Sequence, residues 1–488
     1  MKLDQSHAPY VEAVIKYVQE NRVPFHMPGH KQGVGIDPSL KELWGENIFK
    51  YDLTEVDGLD YLNAANGVIL QAEELAADAF GAKKTFFLIN GSTTGNIAAI
   101  LACVKENEKI LVCRNAHQST SSGVVLSGAL PVYASPTMHP SGYYPVTGVD
   151  AIRSLLAKHP DIKAVHVTSP THVGLLSNLA EIVQISHAVH IPVIVDEAHG
   201  SHFAFHEKLP SPALKLGADF VTQSTHKTLG AFTQTSMFHI GEHCPVPVEY
   251  IDQILRIIQS TSPSTIFVMG LDAARRQMAL DGKNLLDKTI ALAETARAEI
   301  NQIEGFFCYG RDEVGKNDVA DIDLTKLLID VRHSGHTGYE LEKLLGRKYK
   351  IEIEMSDANN ILCFVTIGDT PQSLDKLVTS LKDISREART QGLSAGMASQ
   401  SLEMPAIPEL ALTPRQAFFS QKEAVAFASS AGQISAEYIV PFPPDIPIVV
   451  PGERITAEII DYVAQLQKTN ALIIGPSDTS LQTILVIR

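Results

Sequence analysis

The chain has 488 residues, of which 45% are hydrophobic and 19% are charged, and its formal net charge is −15. This composition is typical of a globular protein, and the length exceeds what one compact core serves, so we expect two to four structural units. The acidic balance argues against nucleic-acid binding, and no apolar run is long enough to span a membrane. Five cysteines without a C-x-x-C pair favour buried thiols in a cytoplasmic protein and predict no metal site.

The sequence predicts alternating helices and strands over most of the chain. A short amphipathic helix at 10–20 precedes an arm rich in proline, glycine and histidine. Strands and helices then alternate from Val68 to Gly241, which indicates a mostly parallel sheet. A helical pattern dominates from Val248 to about Ile303.

A smaller α/β unit is predicted after this helical region. Its strand candidates are Leu324–Ile329, Ile351–Glu354 and Ile361–Ile367, around a helix at Tyr339–Leu345. A polar, proline-containing linker at 388–412 leads to a last unit. We therefore predict four segments: an N-terminal helix and arm (1–66), a large cofactor-binding domain (67–311), a small α/β domain (312–390), and a linker with a C-terminal α/β domain (391–488).

The segment TFFLINGSTTGNIAAILACV predicts an anion site. A strand at Phe86–Ile89 runs into a turn that contains Ser92, Thr93 and Thr94, and a helix follows. Glycines let the backbone approach an anion, hydroxyl groups donate to it, and the helix start supplies unpaired N–H groups. The spacing fits neither common nucleotide fingerprint. A Gly/Ser/Thr turn that only caps a helix is a common alternative.

Two further strands each end in a polar residue that suits a cofactor ring. KILVCRNAHQS predicts a strand that ends at Arg114 and is followed by His117, whose imidazole would lie flat against a ring. An ordinary loop histidine is an equal alternative.

Asp196 follows the buried run Ile194–Val195, at the strand end where open α/β sheets bind ligands. Alone, such an aspartate is more often a helix cap or a metal ligand.

A lysine after a later strand favours the cofactor-binding interpretation of these residues over a helix cap, a metal ligand or an ordinary loop histidine. Lys227 follows the strand Phe220–Thr222 and is flanked by Ser224 and His226. A lysine held and desolvated there can condense with an aldehyde, and its hydroxyl and imidazole neighbours would hold a phosphate. Together with Asp196 as partner of a pyridinium nitrogen, this pattern predicts pyridoxal phosphate (PLP) as cofactor.

The ordered motifs resemble the PLP-dependent ornithine/lysine/arginine decarboxylase family, of fold type I in the aspartate aminotransferase superfamily, from about residue 8 to 480. This resemblance implies a large domain with a mostly parallel seven-stranded sheet, a small α/β domain and a further C-terminal α/β unit. It is closest to the short biosynthetic branch. The motifs are PFHMPGHKQG (24–33), DLTEVDGLDYL (52–62), FFLINGSTTGN (86–96), RNAHQS (114–119), DEAHGSHF (196–203), STHK (224–227) and PFPPDIPIVVPGE (441–453).

The resemblance implies decarboxylation of a basic amino acid, with Lys227, Asp196 and His199 as catalytic residues. The reaction also needs a proton donor, for which His199, Lys227 and His226 are candidates. Another PLP reaction, as in an aminotransferase or aldolase, remains an alternative because arginines are available to hold a substrate carboxylate. A silent regulator on the same fold is disfavoured, since Lys227 and Asp196 are both present.

The preferred substrate is not fixed by the motifs. Arginine, to give agmatine for polyamine synthesis, is favoured over lysine and ornithine because of the resemblance to the short branch. Glu453 or Asp445 would read the distal cation of the substrate, or would close a turn. The family resemblance also implies a homodimer or larger homo-oligomer with shared active sites.

Overall fold

The structure is a computed structural model that describes residues 3–136, 146–393, 405–442, 446–468 and 472–488. Short 3-10 or π turns link several helices and strands. The α-helices in this part of the chain are α1 (Pro9–Gln19), α2 (Pro38–Trp44), α3 (Asn47–Tyr51), α4 (Val68–Phe80), α5 (Gly91–Cys103), α6 (Gln118–Ser127), α7 (Val149–Lys158), α8 (Leu179–His187), α9 (Thr225–Thr228), α10 (Val248–Ile258), α11 (Thr265–Ile300), α12 (Gly338–Leu344), α13 (Pro371–Thr390), α14 (Pro414–Phe419) and α15 (Ala457–Lys468).

The strands alternate with these helices through the first half of the chain, as predicted. Over the same described ranges they are β1 (Lys84–Leu88), β2 (Lys109–Cys113), β3 (Leu130–Ala134), β4 (Ile162–Thr168), β5 (Leu175–Leu176), β6 (Val193–Asp196), β7 (Phe220–Gln223), β8 (Ser236–Ile240), β9 (Phe307–Cys308), β10 (Asp321–Ile322), β11 (Lys326–Asp330), β12 (Met355–Ser356), β13 (Asn360–Phe364), β14 (Lys422–Ala426), β15 (Val440–Phe442), β16 (Leu472–Ile474) and β17 (Thr483–Ile487).

The chain divides into two compact units, each built from two stretches of sequence. The first unit comprises Met1–Cys103 and Pro192–Asp287, and the second comprises Val104–Ile191 and Lys288–Arg488. The four predicted segments are continuous in sequence, so this division does not test their boundaries, which stay a prediction.

The large sheet has seven strands and is mostly parallel, which confirms the predicted fold class. The first unit holds strands in the order β1-β8-β7-β6, and the second holds β4-β2-β3. Strand β8 runs antiparallel to both β1 and β7, whereas β6 and β7 are parallel. All residues of β6, β7 and β8 are buried, so both faces of this part of the sheet are covered.

Helix α5 packs closely against β7 in the first unit. A Cβ atom on Gly95 would lie only 2.6 Å from Thr222 Cγ2, so glycine is required for this approach. The contact brings the first turn of α5 over the carboxyl ends of β6 and β7, where open α/β sheets bind their ligands.

The second unit also contains the four-stranded antiparallel sheet β12-β13-β11-β9. Two predicted strands correspond to β11 and β13, but the prediction of a strand at Ile351–Glu354 was wrong. Lys350 adopts a left-handed conformation (φ 56°), and the chain then packs Ile351 and Ile353 on the hydrophobic core; only Met355–Ser356 pair as a strand. Residues 351–354 are therefore held by the packing of Ile351 and Ile353, and they do not form a paired strand.

The end of the second unit is built on two antiparallel strand pairs, β14–β17 and β15–β16. Helix α15 contributes Ile459 and Val463 to their shared hydrophobic core. Within the described ranges, no helix has the combination of length and apolar character that crossing a membrane requires.

Candidate active site

Three serine hydroxyl groups meet at the first turn of α5. Ser92 Oγ lies 2.7 Å from Ser224 Oγ and 3.0 Å from Ser236 Oγ. Ser224 follows β7 and Ser236 begins β8, so two neighbouring strands carry these partners to the helix start. The first N–H groups of this 13-residue helix have no partner within the helix, and its dipole favours an anion. Hydroxyl and amide donors therefore converge at a point that suits a phosphate group.

Asp196 is a buried carboxylate at the end of β6, with 3% of its surface exposed. Its Oδ2 accepts a hydrogen bond of 2.8 Å from Asn96 Nδ2, and its Oδ1 accepts one of 3.1 Å from the Ala198 N–H. Among the residues described, no cationic side chain forms an ion pair with Asp196. Because a buried carboxylate is costly without an opposite charge, this geometry suits a cationic ligand atom.

Lys227 and His199 are in direct contact. Lys227 lies in the single-turn helix α9 and is half-buried, and its Nζ is 3.0 Å from His199 Nε2. A charged ammonium has only donors, so the imidazole Nε2 accepts when Lys227 is protonated; a neutral amine accepts from Nε2–H instead. One hydrogen therefore lies between the two atoms, and the protonation state of Lys227 decides which of them carries it.

His226 is anchored by one of its two ring nitrogens. His226 Nδ1 lies 2.7 Å from the Thr235 carbonyl oxygen, and because a carbonyl only accepts, Nδ1 carries the hydrogen. Burial lowers the pKa of His226. This bond ties His226 to the residue that precedes β8 and leaves Nε2 as the ring nitrogen to which the predicted phosphate contact falls; that contact stays a prediction.

The remaining predicted anchors occupy distinct positions. The predicted glycine-rich turn is the first turn of α5, which begins at Gly91; there Thr93 is exposed, while Thr94 is buried with its hydroxyl directed at Asn90 O (3.4 Å). In the second unit, exposed His117 is the N-cap of α6, and its Nδ1 accepts from the Ser119 N–H at 3.1 Å. The neutral His117 ring therefore carries its hydrogen on Nε2.

Glu453, the predicted reader of the substrate cation, has partners within its own chain. Its carboxylate is fully buried and accepts two hydrogen bonds of 2.8 Å from Arg114 Nη1 and Nη2, and a third of 2.8 Å from the Val450 N–H. Arg114 Nε also donates to Pro447 O at 2.8 Å. Glu453 thus fixes its own segment to the end of β2. Asp445, the alternative cation reader, lies outside the described residues.

Sequence reasoning missed Asn96 and Ser236. Asn96 is buried and holds the Asp196 carboxylate, and Ser236 completes the serine cluster. The signal for Asn96 was its position five residues after Gly91 on the helix that covers β7. Ser236 carried no local signal, because only the antiparallel pairing of β8 with β7 brings it to Ser92.

Comparison with known proteins identifies the family. The profile of the Orn/Lys/Arg decarboxylase major domain matches residues 8–373, and that of the C-terminal domain of the same family matches 396–476. An arginine decarboxylase of Halalkalibacterium halodurans is 39% identical over 99% of this chain and 98% of its own length; one of Bacillus subtilis is 37% identical over 100% and 99%.

Solved structures give the same fold. Lysine decarboxylase A from Pseudomonas aeruginosa superposes with a TM-score of 0.86 at 24% identity, over 98% of this chain and 80% of that one. The constitutive lysine decarboxylase of E. coli gives a TM-score of 0.85 at 22% identity, over 100% and 82%. The profile match over most of the chain and the full-length relatives lead to one conclusion: the chain belongs to the Orn/Lys/Arg decarboxylase family.

Proposed function

We propose that this chain decarboxylates L-arginine to agmatine and carbon dioxide, in polyamine biosynthesis, with PLP as cofactor. The observation that carries the substrate assignment is full-length identity of 37–39% to proteins described as arginine decarboxylases. A lysine decarboxylase of Pseudomonas aeruginosa is 26% identical over 93% of this chain, so lysine is the second candidate. Ornithine as substrate, and another PLP reaction such as that of an aminotransferase or aldolase, are weaker alternatives.

The residues of the first unit fit PLP in three respects. The serine cluster at the start of α5 suits the phosphate group, and Lys227 is the amine for the covalent attachment. Asp196 is buried without a cationic partner among the described side chains, which is the environment that a protonated ring nitrogen would complete. The donor set, the lysine and the uncompensated carboxylate each match a different part of the same cofactor.

The chain's own residues orient the groups and hold protons during the reaction. Bound PLP supplies an electron sink for the electrons of the broken carbon–carbon bond. Asp196, held by Asn96 and the Ala198 N–H, would pair with the ring nitrogen and keep it protonated. Lys227 Nζ and His199 Nε2 share a proton at 3.0 Å and deliver it to the carbon that loses carbon dioxide. We also propose, as the sequence predicts, that the His117 imidazole stacks on the cofactor ring.

We also propose that the active protein is a homodimer or larger homo-oligomer in the cytoplasm. The arm carries apolar side chains that this chain leaves exposed: Phe25 is 93% exposed, Val34 85%, Leu43 77% and Trp44 57%. Exposed apolar residues concentrated in one segment mark an interaction surface. Sedimentation should give a dimer or larger species, and a fully active monomer would contradict this part of the proposal.

The experiment that tests the function is side-by-side turnover of arginine, lysine and ornithine by purified protein supplied with PLP. We expect carbon dioxide and agmatine from arginine, with the highest kcat/KM of the three. A higher kcat/KM for lysine would make cadaverine formation the activity. Formation of a keto acid without carbon dioxide would replace decarboxylation by transamination.

A further inference from the structure

A chain of buried side chains crosses the first unit beneath its strands, on the face opposite α5. Thr85 on β1 contacts His239 on β8, with 2.8 Å between Thr85 Oγ1 and His239 Nδ1. His239 Nε2 lies 3.1 Å from Gln223 Oε1 on β7, and Gln223 Nε2 lies 2.7 Å from Glu197 Oε2, directly after β6. All four side chains are at most 1% exposed. The chain therefore links four neighbouring strands in their spatial order.

Glu197 ends this chain one residue after Asp196. Its other oxygen, Oε1, accepts from the Ala213 N–H at 2.8 Å, and its own N–H donates to Thr222 O at 2.9 Å. A Cβ atom on Gly200 would lie 2.6 Å from Glu197 Cγ, so the DEAHG turn leaves room for this side chain only with glycine at position 200. Glu197 is therefore an integral, hydrogen-bonded part of the turn that also contains His199.

Asp196 and Glu197 are held from opposite faces of the sheet. Successive side chains along an extended chain point to opposite faces, so Asp196 meets Asn96 of α5 while Glu197 meets Gln223 and Ala213. The backbone between the two carboxylates is thus fixed from above and below. A small shift of this backbone would move the Asp196 carboxylate relative to Asn96 and so relative to the cationic atom that it would pair with.

The hydrogen bonds of the chain have two self-consistent directions. With Glu197 ionised, Gln223 Nε2 donates to it, His239 Nε2–H donates to Gln223 Oε1, and Thr85 donates to His239 Nδ1. With Glu197 protonated, its O–H donates to Gln223, whose amide turns over and donates to His239 Nε2, and His239 Nδ1–H then donates to Thr85. Every bond reverses, so the His239 tautomer records the protonation state of Glu197.

We propose that Glu197 is a positioning residue for Asp196, and that Glu197, Gln223, His239 and Thr85 form one reversible hydrogen-bond chain that holds the end of β6. The groups that face the Glu197 carboxyl group are the Ala213 N–H and the Gln223 amide, with His239 as the titratable group behind them. The positioning role rests on the proposed function. The direction of the hydrogen bonds does not, because all four side chains are present in the protein without cofactor.

Three variants test this proposal. Glu197→Gln keeps every bond but forces the reversed direction, because the oxygen of the introduced amide must accept from Ala213 and its NH2 group must donate. Glu197→Leu removes the end of the chain. Glu73→Gln is the matched control: Glu73 is also buried in this unit (2% exposed), but it contacts Lys84 and the Phe87 N–H and has no bond to β6.

The first measurement is nitrogen NMR of the apoprotein with labelled histidine, with the His239 signal assigned by a His239→Gln variant. We expect Nδ1–H in Glu197→Gln at every pH, and Nε2–H in wild type at high pH. If His239 had the same tautomer in both proteins at every pH, the proposed reversible hydrogen-bond chain would be wrong. This result is independent of which amino acid is the substrate.

The second measurement is kcat and KM with PLP at saturation. Glu197→Leu should lower kcat on the order of tenfold to a hundredfold with little change in KM, as expected for misplacement of a catalytic group, whereas Glu73→Gln should retain kcat within about twofold. Retention of kcat in Glu197→Leu would overturn the positioning role. If Glu197→Leu does not fold, Gln223→Met, which breaks the chain one step away, takes its place with the same criterion.

Discussion

Arg114 and Glu453 form a bidentate ion pair in which both side chains are buried, although 339 positions separate them in the sequence. The guanidinium group also lies 4.6 Å above the centre of the Tyr133 ring. The VVPGE motif therefore serves to hold the C-terminal segment of the second unit, and the acidic residue that the sequence offered to a substrate cation already has a cation within its own chain.

Glu453→Ala should lower the free energy of unfolding by about 3–5 kcal/mol, because it leaves a buried guanidinium unpaired. Chemical denaturation measures this directly. The exposed pair Arg454–Glu409 provides the control, since Glu409→Ala should cost no more than about 1 kcal/mol. If Glu453→Ala instead raised the KM for arginine selectively at unchanged stability, the substrate-reading role would be restored.

Lys227→Ala should abolish covalent attachment of PLP. Borohydride treatment of wild type should fix the cofactor on the peptide that contains Lys227, because a reduced imine is a stable amine. Mass spectrometry locates the label. A label on Lys208 or Lys215 would overturn the central assignment, and the Lys227→Ala protein should carry none.

Asp196→Asn should retain PLP but lower turnover by orders of magnitude, because a neutral amide does not keep the ring nitrogen protonated. Asn96→Ala removes one bond to the charged Asp196 carboxylate, worth roughly 1.5–3 kcal/mol, and should lower kcat by roughly tenfold to a hundredfold. Steady-state kinetics with PLP at saturation compares the two. Near wild-type activity of Asp196→Asn would show that this carboxylate is not the ring partner.

Ser236→Ala should weaken PLP retention as much as Ser92→Ala or Ser224→Ala, because all three hydroxyl groups belong to one cluster. Each loses a bond to a charged group, which corresponds to roughly tenfold to a hundredfold weaker cofactor binding. Fluorescence titration of apoprotein gives the affinity. The control is Ser201→Ala, whose hydroxyl donates to the Ser224 carbonyl and lies outside the cluster; equal loss there would argue against a specific phosphate site.

The unfolding free energy should depend on pH through Glu197. Burial raises the pKa of Glu197 from 4.5 to about 8, against the opposing effect of its two N–H donors. Between these values the folded protein keeps a proton that the unfolded chain has released, so this group's contribution to stability falls as pH rises and levels off above about 8. Glu197→Gln should lack this slope. A constant stability difference between variant and wild type from pH 5 to 9 would show that Glu197 is ionised throughout.

The sequence by itself determined the residues that lie at the ends of buried strands. Asp196 follows the apolar run Ile194–Val195, and Lys227 comes after the strand candidate Phe220–Thr222. Such short patterns indicate buried strands without knowledge of their neighbours. The order of strands, helices and polar ends along the chain predicted the α/β fold class, and the motif strings carried the resemblance to the family. These features are local in sequence, so a linear pattern records them.

The tertiary structure decided which partners these residues have. Ser236 reaches Ser92 because β8 runs antiparallel to β7, and Glu453 meets Arg114 because the chain returns after more than 300 residues. The direction of a hydrogen bond from His226 likewise depends on a carbonyl nine residues away. A linear pattern specifies which residues can donate, accept or carry charge, but burial and pairing across strands determine which of those groups meet, and therefore which carboxylates remain for a ligand.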